Sequence, residues 1–456
     1  MREKQEQING ITQGVIWKQL LIFFFPLLLG TFFQQLYNTV DAIIVGQFAG
    51  KEALSAVGGA TGTLINVFVG FFIGISTGAT VTISQFYGGG NQEDVSKAVH
   101  TAIAMAIAGG AIIMVIGIFG APLALRWMGT PVEIMDQSLI FIRIIFGGMI
   151  ANLIYNVGAG ILRAIGDSKR PLYILMASVG INIILDFIFV IGFHWNVAGV
   201  GCATVISQIF SACMVCVRLM KTKDCYQLRL SNIRFHKGML SRIIRIGLPA
   251  GFQSLMYSSS NVIIQANMNS FGTDTIAAWT AYGKIDAIFW MTISSFGIAI
   301  TTFVGQNFGA GFYGRVRRGV KVCLGLALSA SVGLMIILYF GGTYIFGLFT
   351  TDAQVIERGM EILKFLVPAF WTYVFVEILS GSLRGMGNSL LPMIITSLGV
   401  CVLRVIWLFT AVPVWPSVRT VITSYPMTWS VTSLLFIIYY RYYVKKNGIS
   451  GRRRTV

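Results

Sequence analysis

Charge is scarce in this chain. Only 11% of its 456 residues are Asp, Glu, Lys or Arg, and the acidic share is 17 residues. Soluble domains are about one quarter charged, so this composition cannot clothe two or three globular domains in a solvated surface. Histidine is scarcer still: His100, His194 and His236 are all there is. No His-Glu-x-x-His or Gly-x-Ser-x-Gly pattern occurs, and the Gly88-Gly-Gly90-Asn91 turn lacks the Lys-Ser/Thr that a phosphate loop requires. Enzyme chemistry is therefore not expected, nor a cofactor, and a membrane-embedded transferase lacks its His/Asp constellation. The six cysteines fall mostly within apolar runs, and Cys213-x-x-Cys216 has no further ligand at zinc spacing. They read as small packing residues rather than as a disulfide framework or a metal site.

What is abundant is hydrocarbon. The chain is 55% hydrophobic with a mean hydropathy of +0.75, and apolar runs of about 20 residues, enough to cross a bilayer as a helix, recur along its length. The first run, from Val15, is too long for a signal-peptide core and is expected to stay as a membrane helix. Twelve spans are expected, at about 15–47, 52–86, 94–122, 132–162, 171–193, 197–219, 239–270, 274–308, 316–346, 354–383, 391–412 and 419–443. The fold class is an all-α polytopic membrane protein.

The net charge of +17 is explained by where it sits. Of 34 Lys and Arg, 26 fall in the termini and alternate loops on one side, against four on the other and four within spans. By the positive-inside rule both termini are cytoplasmic and the protein sits in the plasma membrane. Lipid headgroups are then the partners of the basic tail (444–456), with Lys445, Lys446 and Arg452-Arg453-Arg454, and nucleic acid is not expected. The protein is expected to act as a monomer.

The polar linker 221–238 divides the chain, and a repeat spans it. Gly160-Ile-Leu162-Arg163-Ala-Ile-Gly166-Asp-Ser168-Lys-Arg-Pro171 matches Gly381-Ser-Leu383-Arg384-Gly-Met-Gly387-Asn-Ser389-Leu-Leu-Pro392 at an offset of 221, identical at six of twelve places. The same offset pairs Gln85 with Gln306 and Gly90 with Gly311, while Pro26 pairs with Pro249 and Gly50 with Gly272. The division is an N-lobe (1–220) and a C-lobe (239–443). Six spans per repeat give two parallel lobes related by an axis along the membrane normal, a transporter architecture. Pro26 and Pro249, inside the first helix of each repeat, invite bends.

Ionisable groups inside spans are costly, about 2.5–3.5 kcal/mol on insertion scales, and are read as functional first. They are Asp41, Arg143 and Asp186 in the first repeat and Lys284, Asp286, Lys364, Glu377 and Arg404 in the second. Asn182 and Asp186 share a helical face at i, i+4. Two carboxylates in one poorly hydrated pocket cannot both stay ionised cheaply, so a proton or a sodium ion would relieve them. In the second repeat Asp41 falls opposite Ile263 or Ile264, Asn182 opposite Leu403 and Asp186 opposite Trp407, which assigns the switch to the first lobe. A buried pair that only fixes helix register is the competing reading. Lys284 and Asp286 face apart on their helix and are expected to pair with other helices rather than to touch substrate. Gln34 and Tyr37, two turns and one turn before Asp41, are the substrate-binding candidates. Most other aromatics are expected to be packing.

Gln34-x-x-Tyr37-x-x-x-Asp41, the twin Leu-Arg-x-x-Gly-x-Ser loops, the Gln85 and Gln306 turns and Asn182-x-x-x-Asp186 together resemble the multidrug and toxic compound extrusion (MATE) family, in its DinF-like bacterial branch. The resemblance covers essentially all twelve spans. It implies export of organic, lipophilic and often cationic small molecules in exchange for H⁺ or Na⁺. It also implies a first-lobe cation pocket at Asp41, Asn156, Asn182, Asp186 and Thr204, with no other metal. Another branch uses an acidic residue in the first helix of the second lobe, which is absent here. Glu377 remains as a second acidic candidate, or else neutralises a base such as Lys364. The alternative function is a lipid-linked oligosaccharide or polysaccharide flippase, which would want a cationic cavity where this first lobe is acidic.

Overall fold

A computed structural model describes residues 11–350 and 352–449. The charged stub before residue 11 and the Arg452-Arg453-Arg454 run of the tail lie outside the described residues. Among the described residues every regular element is helical, because in hydrocarbon only a helix or a closed barrel satisfies its own backbone.

The first repeat holds α1 (Ile16–Ile44), α2 (Gly50–Gly58), α3 (Ala60–Gly88), α4 (Gln92–Trp127), α5 (Val132–Gly147), α6 (Met149–Ala164), α7 (Lys169–Asp186) and α8 (Asn196–Lys221). The second holds α9 (Lys237–Asn269), α10 (Thr273–Gly309), α11 (Tyr313–Gly347), α12 (Ala353–Leu366), α13 (Phe370–Gly385), α14 (Leu390–Thr396), α15 (Leu403–Ala411) and α16 (Val418–Lys446). Ten stretches are long and apolar enough to span a membrane, and α5 with α6, bent by 47°, makes an eleventh. The 33-residue α9, polar at Gln253, Ser258, Ser259, Ser260 and Gln265, completes a twelve-helix layout.

The repeat is visible in the backbone. Gly90 and Gly311 turn at φ of 74° and 73°, and Gly166 and Gly387 at 97° and 87°. A side chain would be strained at each. The halves differ in continuity: α10 is unbroken, whereas its first-repeat counterpart is interrupted at Gly59, between α2 and α3.

The compact units divide inside two helices. One unit is Phe25–Gly251; the other joins the residues up to Phe24 to those from Phe252 onward. Phe24 and Gly251 each lie two positions from a helix-interior proline, Pro26 in α1 and Pro249 in α9. Each proline removes one backbone hydrogen bond and crowds the preceding turn, so the two parts of each helix can follow different neighbours.

Within the Phe25–Gly251 unit, the first part of α9 meets α3 backbone to backbone. A β-carbon at Gly78 would fall 2.2 Å from the Ile243 carbonyl oxygen, and one at Gly247 would fall 2.4 Å from that of Ile75. Gly74-x-x-x-Gly78 therefore faces Gly247-x-x-x-Gly251, the small-residue device by which helices approach in lipid. Arg242 fastens the end of this seam, donating to Gln85 Oε1 at 2.6 Å. The core is aliphatic, with Val95, Val99, Ile103, Ile142 and Leu162 fully enclosed.

In the other unit, the start of α1 lies on α10 with Phe24 stacked on Phe296 at 3.9 Å. Arg315 donates to the carbonyls of Gln13 and Gly14 at 2.7 and 2.8 Å. This core is aromatic, built on Phe289, Phe303, Phe346, Phe370, Trp429 and Phe436.

Candidate functional site

Three helices of the Phe25–Gly251 unit bring the first-repeat polar residues together. Asp41 comes from α1, Asn182 and Asp186 from α7, and Thr204 from α8. Asp41 is 9% exposed, and Asn182 and Asp186 are wholly buried. With its amide nitrogen turned to the carboxyls, the orientation that gives the amide partners, Asn182 donates to Asp41 Oδ1 at 3.0 Å and to Asp186 Oδ2 at 3.3 Å. The amide thus bridges the two carboxyls. Asp186 Oδ1 is buried and has no partner.

Tyr37, one turn before Asp41 on α1, donates its hydroxyl to Thr204 Oγ1 at 2.9 Å. One contact clamps α7 to α8 beside the site, and a second, within α8, extends it to Thr204. Ser178 Oγ donates to the Ser207 carbonyl at 2.8 Å, and Ser207 Oγ donates to the Thr204 carbonyl at 2.8 Å. Neither serine was singled out by sequence. The signal was available: Ser178 is one turn before Asn182, and Ser207 one turn after Thr204, so each extends a polar stripe at helical spacing.

The helices are irregular where they leave the carboxyls. A π-helical segment occupies Val45–Ala49, four residues past Asp41, and another occupies Phe187–Gly192, directly after Asp186. Such segments are over-represented at functional sites and depart from the period that sequence patterns report.

Other candidates are not joined to this group. Asn156 donates to the backbone and side-chain oxygens of Asn152 at 2.9 and 3.1 Å, and no hydrogen bond links it to either carboxyl among the described residues. Gln34 is exposed on α1. Glu377 pairs with Arg384 at 3.3 Å, so the base beside it is Arg384 rather than the exposed Lys364. Its carboxylate fills the space over Gly297, where a β-carbon would fall 2.3 Å from Oε1.

The expectation that Lys284 and Asp286 pair with other helices is corrected. Lys284 is exposed. Asp286 is served by its own helix, accepting from Trp290 Nε1 and contacting Tyr282, the residues one turn to either side. Their i±4 spacing lets an intrahelical pair do what another helix was expected to do.

The first-repeat donor set is all oxygen: two carboxyls, a hydroxyl and an amide that can turn its oxygen inward. Such a set suits a proton or a hard monovalent cation rather than a transition metal. Among the described residues no group of three or more His, Cys, Asp or Glu could hold a metal ion.

Comparison with known proteins agrees with this architecture. A probable multidrug resistance protein of Bacillus subtilis (strain 168), YoeA, is 28% identical over 95% of this chain and 96% of its own length. The multidrug export protein MepA of Staphylococcus aureus (strain MRSA252) is 23% identical over 90% of each. A solved structure described as the outward-facing conformation of a multidrug resistance MATE family transporter superposes with a TM-score of 0.89, at 21% identity, over 96% of this chain and 98% of that one. The family model MatE matches residues 26–188 and 249–410, one match in each repeat. The chain thus belongs to the MatE family, whose members are multi-pass membrane transporters and not enzymes.

Proposed function

We propose that this transporter is a secondary-active antiporter that exports organic, lipophilic and often cationic compounds in exchange for H⁺ or Na⁺. The observation that carries the reading is the buried pair Asp41 and Asp186 bridged by Asn182. In the proton-loaded form the carboxyls share a proton and Asn182 turns its nitrogen to both. In a sodium-loaded form Asn182 would turn its oxygen inward, and Asp186 Oδ1, otherwise unpartnered, and Thr204 Oγ1 would complete an oxygen shell. Tyr37 carries the change of state to α8 through Thr204. Gln34 and Tyr37 line the approach for substrate, and Asn156 and Glu377 stand outside the coupling pair.

Export of multiple drugs is supported by relatives that align over nearly the whole chain, a probable multidrug resistance protein and a multidrug export protein. The Lys and Arg asymmetry supports an orientation with both termini in the cytoplasm. One monovalent cation entering through 100 mV releases about 2.3 kcal/mol, which supports roughly fifty-fold accumulation of a neutral substrate.

The test is resistance of a drug-hypersensitive host expressing wild type or Asp41→Asn at matched membrane levels. Resistance is expected from the wild type alone, and full resistance from the variant would remove the reading.

A further inference from the structure

Arg404 lacks a carboxylate. It is 2% exposed, within a segment apolar enough to span a membrane, and among the described residues it enters no ion pair. What surrounds it is neutral. Nη2 donates to Thr428 Oγ1 at 3.4 Å, and the guanidinium carbon lies 4.1 Å from the centroid of the Tyr425 ring. Nε has no acceptor. Arginine keeps its proton in proteins, and an intramembrane cation is costly unless compensated. One long hydrogen bond and one ring face compensate it only in part.

A second buried donor nearby is in the same condition. Trp429, 1% exposed and next to Thr428 on α16, packs 5.3 Å from Tyr425, and its Nε1 has no acceptor. The cluster also holds one spare acceptor. Asp286 Oδ2 is taken by Trp290 Nε1, and Oδ1 is unpartnered. The Trp290 and Trp429 rings are 6.0 Å apart, so ring contacts run from Trp290, which holds Asp286, through Trp429 to Tyr425 under Arg404. Asp286 and Tyr425 keep partial exposure, so the cluster is open on that side. At the repeat offset Arg404 falls opposite Ile183, which confines the feature to the second repeat.

We propose that this cluster is a ligand subsite for amphoteric organic compounds, with Arg404 Nε and Trp429 Nε1 taking a carboxylate and Asp286 Oδ1 taking a protonated amine. Arginine and carboxylate make the stronger, charge-assisted kind of hydrogen bond, and the surrounding rings stack the body of the compound. The inference deepens the export reading and rests on it: the second repeat selects among substrates, while the first couples to the ion.

The test uses purified full-length protein and two fluorescent probes, a rhodamine with a free carboxylate and its methyl ester, which keeps the cation and loses the anion. Binding of each is followed by fluorescence polarisation. Arg404→Gln is expected to weaken the free acid about tenfold, since hydrogen bonds to charged groups carry that much affinity, and to change the ester less than about twofold. Asp286→Asn is expected to weaken both. Trp429→Phe keeps an aromatic ring and removes only the N–H donor, so it should selectively weaken the free acid even if Arg404→Gln misfolds. Equal effects on acid and ester in both the Arg404 and Trp429 variants, or none, would overturn the subsite and leave Arg404 as a packing cation. Asp41→Asn is measured alongside for export. Normal export by that variant would defeat the coupling reading, while the contrast between acid and ester is read independently of it.

Discussion

The Tyr37 hydroxyl donates to Thr204 Oγ1 over 2.9 Å, joining residues 167 positions apart. That bond ties the helix carrying Asp41 to α8, and α8 is clamped to the helix carrying Asp186. Removing the hydroxyl alone, as in Tyr37→Phe, costs about 0.5–1.5 kcal/mol. Substrate affinity in purified protein should fall by roughly two- to tenfold, with folding intact by size-exclusion chromatography. Unchanged affinity would show that the α1 to α8 link is not used.

Because Asp41 and Asp186 share one bridging amide, they should act as a unit. Asp41→Asn and Asp186→Asn are each expected to abolish ion-coupled drug efflux in everted vesicles, and the double variant should be no worse than either single one. Two partial losses that multiply in the double variant would mean that the carboxyls work separately.

The glycine seam between α3 and α9 leaves no room for a methyl group. Gly78→Ala and Gly247→Ala place a β-carbon 2.2 and 2.4 Å from carbonyl oxygens, and overpacking of that kind costs about 1–3 kcal/mol. Both should lower the thermal unfolding temperature in detergent. Gly283→Ala, with nothing within 4 Å of the new carbon, should leave it unchanged. A seam variant as stable as wild type would contradict the backbone contact.

The linker between the repeats docks on α4 through histidines. His236 Nε2 accepts from Arg234 Nε at 3.1 Å, and its Nδ1 meets Thr101 Oγ1 at 3.2 Å. His100 Nε2 accepts from the Arg229 N–H at 3.1 Å. Burial, with Arg234, Lys97 and His100 nearby, holds His236 below its ordinary value of 6.5. The folded state therefore prefers the neutral ring. The contribution of His236 to docking is complete above about pH 6.5 and is lost as pH falls through the lowered value, where a proton on Nε2 would face the Arg234 donor. Protease cleavage within 222–236 should rise on acidification and should depend less on pH in His236→Gln, with His100→Gln run in parallel. Identical pH profiles for wild type and His236→Gln would remove the histidine dock.

Much of this was legible in the sequence. The spans follow from apolar length, the repeat from twelve aligned positions, and the buried Asp41 and Asp186 stand out as carboxylates in segments where a charge is costly. Three features were not. A contact between backbones, as at Gly78 and Gly247, leaves no mark beyond small residues, which occur at many other places in the chain. The π segments after Asp41 and Asp186 depart from the 3.6-residue period that a sequence pattern reports. The Asp286 partner on its own helix is the third: a buried carboxylate suggests a partner on another helix, whereas Trp290, at i+4, supplies the donor.

The most direct measurement is ion release on substrate binding. Purified protein in weakly buffered detergent is titrated with a lipophilic organic cation while pH and sodium activity are recorded. The account predicts release of H⁺ or Na⁺ that saturates with binding in wild type and is absent in Asp41→Asn. Saturable substrate binding by the wild type with no ion released, or equal release from the variant, would contradict it.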